Sequence, residues 1–266
     1  MGGESDLSNP QRRVEAHLEA ARAAERTGAW TEARKEYEAA LGWLPHTEET
    51  TLTGPLLRWI GRTHLNAGAL QEAEDCFEAA LAVAELSLDQ ETRSNTINCI
   101  AIVKQQRGKL DEAETLYQEA RVWAEAGSDR KLLAMIDQNL GTVASIRGHP
   151  ALAIRHYRKS LEGYRRLGLS DYVAPLLSNM AMLLGKMGDY PEAEELYAEA
   201  FAAAQDRGDV NTQVAIQVNR AALRIDSGNH GEARAACEAA YGPAERLGVP
   251  RWLGEIHKIL GVIHRE

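Results

Sequence analysis

Asparagine and arginine side chains at regular spacing are the residues of this sequence with the clearest chemical potential. Asn139, Asn179 and Asn219 follow one another at intervals of forty residues. A carboxamide carries both donors and an acceptor, so it can pair with the N–H and the C=O of a peptide unit. Arg58 and Arg62 stand four residues apart, on one face of a helix, and a guanidinium pairs bidentately with a carboxylate. The alternatives are that the asparagines cap neighbouring helices or only hydrate the groove, and that the arginines pair with acids of the same chain.

Catalytic and metal-binding motifs are missing from the sequence. It contains no phosphate loop, GxSxG elbow, HExxH helix, dinucleotide fingerprint or calcium loop. His149 and His156 are seven residues apart, as are His257 and His264, but a metal site needs three or four converging ligands. The three cysteines show no CxxC spacing and are expected to be reduced thiols. We therefore predict no catalytic residues, no metal site and no cofactor, and a chain that is not an enzyme.

Charge and hydropathy narrow the possible partners. The 266 residues carry a formal net charge of −9, and an acidic chain is repelled by phosphate backbones. No run approaches the roughly eighteen apolar residues that cross a bilayer, and the N-terminal segment MGGESDLSNPQRR lacks an apolar signal core. We therefore expect a cytoplasmic chain, or a fragment of a larger one. Its partner is expected to be a protein or peptide, and neither nucleic acid nor a membrane.

A repeat of forty residues organises the sequence. Its most regular members are glycines, at Gly28, Gly68, Gly108, Gly148, Gly188 and Gly228. Alanine follows each of them by five residues, at Ala33, Ala73, Ala113, Ala153, Ala193 and Ala233. An aromatic residue or cysteine follows by nine, at Tyr37, Phe77, Tyr117, Tyr157, Tyr197 and Cys237. Self-similarity at a fixed period predicts a stack of similar supersecondary units.

The residue types of the repeat predict two helices in each unit. Glycine accepts the left-handed conformation at a helix C-terminus, so each repeated glycine marks a turn between two helices. Small residues on both sides of that turn let the helices approach closely, and the aromatic residue fills the gap between them. Alanine, leucine and long charged residues also favour helix over strand. The sequence therefore predicts an all-α chain.

The segment LLRWIGRTHLNAGALQEAEDCFEAAL, residues 56–81, resembles a tetratricopeptide repeat, and the resemblance covers nearly the whole chain. The segment carries the family's small residue in the first helix, its turn glycine, and its alanine–aromatic–alanine series in the second helix. A period of forty is similar to that of the long repeats in kinesin light chains, bacterial peptide-pheromone receptors and large bacterial regulators. The resemblance implies an α-solenoid of six helix-turn-helix units, wound as a right-handed superhelix.

The predicted organisation is a single solenoid over residues 1–266, with residues 1–9 disordered. Residues 251–266 contain Leu260 and Gly261, the large–small pair of a seventh unit, whose turn glycine would fall beyond Glu266. This segment is interpreted either as the cap helix that repeat arrays need or as the first helix of a truncated seventh repeat. Its apolar residues predict that it covers the sixth repeat and offers its other face either to a second copy, giving a homodimer, or to a further repeat.

The resemblance also implies which residues face a partner, because the first helices of tetratricopeptide repeats line a concave groove. The positions that we predict for peptide binding are Arg58, Arg62, Asn98, Gln138, Asn139, Thr142, Asn179, Met182 and Asn219. The asparagines are expected to face solvent in the free protein.

Three functional hypotheses follow from these expectations. The leading one is a protein–protein interaction scaffold that binds an extended peptide, or a disordered segment of a partner, in this groove. The second is a regulatory or sensor region of a larger bacterial signalling enzyme or transcription factor. The third is a structural module that associates with itself.

Overall fold

The computed structural model describes residues 9–44 and 51–265, and this part of the chain is helical, with short turns and no strand. Its thirteen helices are α1 (Pro10–Thr27), α2 (Trp30–Gly42), α3 (Thr53–Asn66), α4 (Leu70–Leu86), α5 (Gln90–Gln106), α6 (Leu110–Ala126), α7 (Arg130–Ile146), α8 (Pro150–Arg166), α9 (Ser170–Lys186), α10 (Tyr190–Asp206), α11 (Val210–Asp226), α12 (His230–Leu247) and α13 (Pro250–Ile263). The all-α prediction is confirmed. The predicted disorder of residues 1–9 falls outside the described residues except at Asn9, whose side chain accepts a hydrogen bond from the Gln11 amide and caps α1.

The repeated glycines form the turn between the two helices of each unit, as the sequence predicts. Gly28 follows α1 with a φ of 74°. Most residues other than glycine would be strained in this left-handed conformation. The amide of Ala29 then donates a hydrogen bond to the carbonyl of Ala24 at 3.0 Å. The same backward bond follows each of the other five repeated glycines. This Schellman arrangement satisfies carbonyl groups that a helix end would otherwise leave unpaired.

A small residue of the first helix receives the aromatic residue of the second helix in each of two well-defined pairs. A Cβ added at Gly61 of α3 would lie 2.5 Å from Cε1 of Phe77 in α4. A Cβ added at Gly141 of α7 would lie 2.6 Å from the ring of Tyr157 in α8. Close-packed interiors have no room for an extra methyl group at such distances. The ring therefore fills the space that the glycine leaves.

Packing contacts group the chain into two compact units, residues 1–139 and 140–266, and the boundary falls inside α7. In the first unit, α1, α2 and α3 enclose a core around Tyr37. In the second unit, α11, α12 and α13 enclose a core around Ile256. The single solenoid expected over residues 1–266 stays a prediction.

Helix α13 covers the sixth repeat. Its large apolar residues are buried or half-buried against the core that it shares with α11 and α12, at Trp252, Leu253, Ile256, Ile259, Leu260 and Ile263. The residues that it exposes are the N-terminal Pro250 and four that are polar or lack a side chain, Arg251, Gly254, His257 and Lys258. Among its described residues α13 thus exposes no large apolar side chain to a second copy. The homodimer through α13, and the choice between a cap and a truncated repeat, stay predictions.

Alanine at two glycines of the same repeat position is expected to have opposite effects on stability. Gly61→Ala should lower the free energy of unfolding by about 1–3 kcal/mol, because its methyl group would meet the Phe77 ring. Gly261→Ala should raise it by up to about 1 kcal/mol, because nothing lies within 4 Å of an added Cβ there. Urea denaturation of both variants measures the two changes. A neutral Gly61→Ala would remove the proposed register, and a destabilising Gly261→Ala would mean that another surface covers α13.

Candidate functional site

A cationic cluster lies in the first unit, between α1 and α3. Cζ of Arg22 and Cζ of Arg58 are each 5.9 Å from the centroid of the Trp59 ring. The Trp59 ring is in turn 5.5 Å from the ring of the buried Tyr37, which fixes its position. A guanidinium beside an indole ring is attracted by its quadrupole and keeps its N–H donors for another partner. The cluster can therefore present two positive charges from a rigid base.

One acid of the chain belongs to this cluster. Arg62 pairs with Glu25 of α1, with Nη2 3.4 Å from Oε1, so for Arg62 the alternative of pairing within the chain holds. Arg58 has no carboxylate partner among the described residues, and its Nε is buried without a hydrogen bond. Burial, with a contribution from Glu25, raises the pKa of Tyr37 to about 12, so this phenol stays neutral. The Arg58 guanidinium also interacts with the buried Cys99 thiol, but no carboxylate among the described residues neutralises its charge, which remains for an anionic group.

Asn98 is a correction to the predicted groove. Its side chain is not available at the surface, because the residue is only 2% exposed. Its Oδ1 accepts a hydrogen bond of 3.0 Å from Nδ2 of Asn139, which lies two helices further along the chain. Gln138 and Asn139 are half-buried. In the first unit, Asn98 therefore positions Asn139 and does not itself face a partner.

Asn219 makes a similar contact in the second unit. Its Nδ2 lies 3.4 Å from Oγ of Ser178, in the first helix of the preceding repeat. This bond and the bond from Asn139 to Asn98 both join residues forty-one positions apart. The expectation of freely solvent-facing asparagines is therefore wrong for Asn139 and Asn219, which join neighbouring first helices. Within the described part of the chain, the Oδ1 atoms of these two asparagines have no hydrogen-bond partner.

Of the remaining predicted positions in the second unit, Thr142 contacts the repeat aromatic residue, whereas Asn179 and Met182 are partly open to solvent. The hydroxyl of Thr142 lies 3.2 Å from Oη of Tyr157, so it steadies the aromatic residue between α7 and α8. Burial raises the pKa of Tyr157, which keeps this phenol protonated and able to share the bond. Asn179 is half-buried, and Met182 is 42% exposed. Met182, the apolar residue among the predicted positions, is thus accessible to solvent.

A pocket of about 230 Å³ opens between α11 and α13 of the second unit. Among the lining residues, Asn219 is a position predicted from the sequence, whereas those of α13 are not. Lys258, Ile259 and Val262 each follow a lining residue of α11 by forty positions, namely Val218, Asn219 and Ala222. The repeat register, continued into the seventh unit, would have identified them.

Metal sites and membrane-spanning helices are absent from the described residues. No group of three or more histidine, cysteine, aspartate or glutamate side chains in residues 9–44 and 51–265 is arranged to hold a metal ion. None of the helices in that part is both long and apolar enough to cross a bilayer.

Known structures with this fold include proteins that bind peptides and act as sensors. A Rap conjugation gene regulator of plasmid pLS20, solved with the Phr* peptide, is 18% identical, with a TM-score of 0.69 over 94% of this chain and 74% of that one. A kinesin light chain repeat protein of Podospora anserina is 16% identical, with a TM-score of 0.59 over 74% of this chain and 98% of that one. A signal transduction ATPase with a tetratricopeptide repeat sensor, from Pyrococcus horikoshii, is 14% identical, with a TM-score of 0.70 over 97% of this chain and 42% of that one.

Sequence comparison gives the family directly. No curated protein matches the chain significantly. The sequence pattern of the tetratricopeptide repeat matches residues 92–166 and 172–241, which together are more than half of the 266 residues. Twelve of the thirteen described helices form six pairs around the turn glycines, and two of those pairs show the small–aromatic contact, in agreement with that match. The chain therefore belongs to the tetratricopeptide repeat family.

Proposed function

We propose that this chain is a scaffold, not an enzyme, that binds an extended peptide or a disordered segment of a partner along the first helices of its repeats. The observation that carries the proposal is the state of Asn139 and Asn219. Each asparagine donates one N–H to the preceding first helix, and each keeps an acceptor oxygen without a partner in the described residues. A polar group that is oriented before binding loses less conformational freedom on binding, and the 3.0 Å bond orients Asn139 more firmly than the 3.4 Å bond orients Asn219. Such a carboxamide is suited to the N–H and C=O groups of an extended backbone.

The cationic cluster adds a second element to the proposed site. Arg58 has a buried Nε without a hydrogen-bond partner in the described residues, and Arg22 shares the Trp59 ring with it. The buried Nε is out of reach of a partner, but the rest of the guanidinium carries a positive charge and N–H donors suited to a carboxylate. We therefore include a carboxylate of the bound peptide, from an acidic side chain or the C-terminus, near Arg58.

The relatives in fold support the class of partner. The Rap regulator of plasmid pLS20 was solved with a bound peptide, on a chain that shares the fold of this one. The alternative function is that of a sensor region in a larger signalling protein, and the tetratricopeptide repeat sensor of the Pyrococcus horikoshii ATPase favours it. Both functions use the first helices of the repeats. They differ in whether the bound segment belongs to another molecule or to the same polypeptide.

Loss of the Asn219 carboxamide is expected to weaken peptide binding more than folding. A peptide selected on the protein from a random phage-displayed library should bind Asn219→Ala with a free energy less favourable by about 1–3 kcal/mol, because a desolvated backbone group loses its partner. The free energy of unfolding should change by less than about 1 kcal/mol, since the bond to Ser178 is long at 3.4 Å. Calorimetric titration and urea denaturation give the two values.

The matched control is Gln205→Ala, which removes an exposed carboxamide from α10, a second helix of the same unit. It should leave both quantities unchanged. Equal affinity for the wild type, Asn139→Ala and Asn219→Ala would contradict the proposal, and so would loss of the fold in either variant.

A further inference from the structure

The pocket between α11 and α13, hereafter the α11–α13 pocket, combines apolar side chains with a polar and charged rim. Val218, Ala222 and Ile225 contribute from α11, and Trp252, Ile259 and Val262 contribute from α13. Water against these six side chains finds few hydrogen-bond partners, so an apolar group that displaces it there gains free energy. The walls therefore favour an apolar occupant.

The volume of the pocket limits the size of that occupant. Sites for drug-sized molecules usually measure about 300–1,000 Å³. The α11–α13 pocket measures about 230 Å³, below that range. A pocket of this size has room for one large side chain of an extended peptide.

The walls of the pocket are fixed before anything binds. The indole N–H of Trp252 donates a hydrogen bond of 2.9 Å to Oδ1 of Asn211 in α11. The guanidinium of Arg251 lies 4.8 Å from the centroid of the Trp252 ring. Ile259 is buried in the core that α13 shares with α11 and α12. A preformed pocket does not have to order its side chains when a ligand enters.

The charges at the rim balance, in contrast to the cationic cluster of the first unit. Two acids, Asp226 and Glu255, face two bases, Arg251 and Lys258. Nζ of Lys258 lies 3.5 Å from Oε2 of Glu255, so these two charges already pair. A rim of zero net charge has no electrostatic preference for an acidic or a basic side chain. The occupant is therefore selected by apolar contact and shape.

We infer that the α11–α13 pocket binds one aromatic or branched aliphatic side chain of the partner segment, next to the backbone unit that pairs with Asn219. This inference rests on the proposed function, because Asn219 lies in the wall of the pocket and fixes the peptide backbone beside it. The two units then recognise different chemistry, an acidic group at Arg58 in the first and an apolar side chain in the second.

The test uses N-acetyl-phenylalanine amide, a capped single residue, as a probe of the isolated pocket. In the ¹⁵N-labelled full chain, the indole N–H resonance of Trp252, identified by its loss in Trp252→Phe, should shift on titration with about millimolar affinity. N-acetyl-aspartate amide, which has the same backbone, should not shift it. Ala222→Phe places a ring in the pocket from an exposed position and should weaken binding of the phenylalanine probe about ten-fold or more.

The matched control is Ala202→Phe, which adds the same ring at an exposed position of α10 outside the pocket and should bind like the wild type. Ala222→Leu replaces Ala222→Phe if circular dichroism shows that the larger variant is not folded. The inference is overturned if the phenylalanine probe leaves the Trp252 resonance unshifted, if the aspartate probe shifts it equally, or if binding survives a folded Ala222 variant.

Failure of the pocket and failure of the proposed function give different results. Peptides selected from the library that lose affinity in Asn219→Ala, but not in Ala222→Phe, would overturn the pocket and leave the proposed function standing. Selected peptides that lose about ten-fold or more in Ala222→Phe, and likewise when their one large apolar residue is changed to alanine, would support the pocket.

Discussion

Replacing Phe77 by alanine is expected to lower the free energy of unfolding by about 3–5 kcal/mol, the range for removing a buried aromatic ring. Phe77 is 0% exposed, and its ring lies 2.5 Å from the position of an added Cβ at Gly61. Gly61 has no side chain that could move into the space, so the truncation leaves a cavity. Urea denaturation followed by circular dichroism measures the loss.

Val122→Ala is the control, because Val122 is an apolar residue of the same unit that is 64% exposed. Its free energy of unfolding should stay within about 0.5 kcal/mol of the wild type. A loss of less than about 1 kcal/mol in Phe77→Ala would contradict the packing of the aromatic residue against glycine.

The same pair of residues allows a test of the contact itself. Gly61→Ala is expected to destabilise the wild type because the methyl group meets the Phe77 ring. In the Phe77→Ala background the ring is gone, so Gly61→Ala should become stabilising through the better helix propensity of alanine. The difference between the effects of Gly61→Ala on the unfolding free energy in the two backgrounds, measured in a double-mutant cycle, is the coupling energy between the two positions.

The turns show how far the sequence determines the fold. Gly168, Gly208 and Gly248 follow second helices and have positive φ, as their residue type predicts. Leu88 and Ser128 stand at the same repeat position and also have a φ of 56°, although neither residue type favours that backbone. The forty-residue period locates these two turns, but the conformation follows from the helices on both sides and cannot be predicted from the local residues.

The candidate site was predicted less completely than the fold. The spacing places Asn98 and Asn139 in first helices, but burial depends on how closely those helices approach, and spacing contains no such information. The hydrogen bond of 3.0 Å between them is a tertiary contact. Lys258 and Ile259 were missed for a different reason. The register of the repeats includes them. The interpretation of residues 251–266 as a cap or a truncated repeat did not extend the predicted groove into that segment.

A buried carboxylate of α4 pairs with two basic residues, one in α5 and one directly after it. Glu74 of α4 has a side chain that is 7% exposed, and its Oε1 lies 2.6 Å from Nζ of Lys104 in α5. Its Oε2 accepts a hydrogen bond from Nη1 of Arg107, whose Nη2 also donates to Oε1 of Gln71 at 2.9 Å. The hydrogen bond from Lys104 holds the pKa of Glu74 below its usual value, and the same bond raises the pKa of Lys104. Both directions indicate that the charged forms are the stable ones in the folded chain.

Glu74→Ala should therefore lower the free energy of unfolding by about 3–5 kcal/mol at neutral pH, the range for removing one partner of a buried ion pair. The side chains of Lys104 and Arg107 are 20% and 26% exposed, so both would keep a partly desolvated charge without this carboxylate. Glu78→Ala is the control, because Glu78 stands one turn further along α4 and is exposed. It should change the stability by less than about 0.5 kcal/mol.

The pH dependence separates the ion pair from simple packing at Glu74. A carboxyl group whose pKa is lower in the folded state contributes its full stability above the unfolded pKa, near 4.5, and loses it as the pH falls through the folded pKa. The raised pKa of Lys104 has the opposite effect, since its contribution is complete below the unfolded value of 10.5 and is lost only at higher pH. The difference in unfolding free energy between the wild type and Glu74→Ala should thus be constant from about pH 6 to pH 9 and shrink below about pH 4.5. Urea denaturation at a series of pH values measures this difference, and a difference that persists unchanged at about pH 3 would mean that the charge of Glu74 does not stabilise the fold.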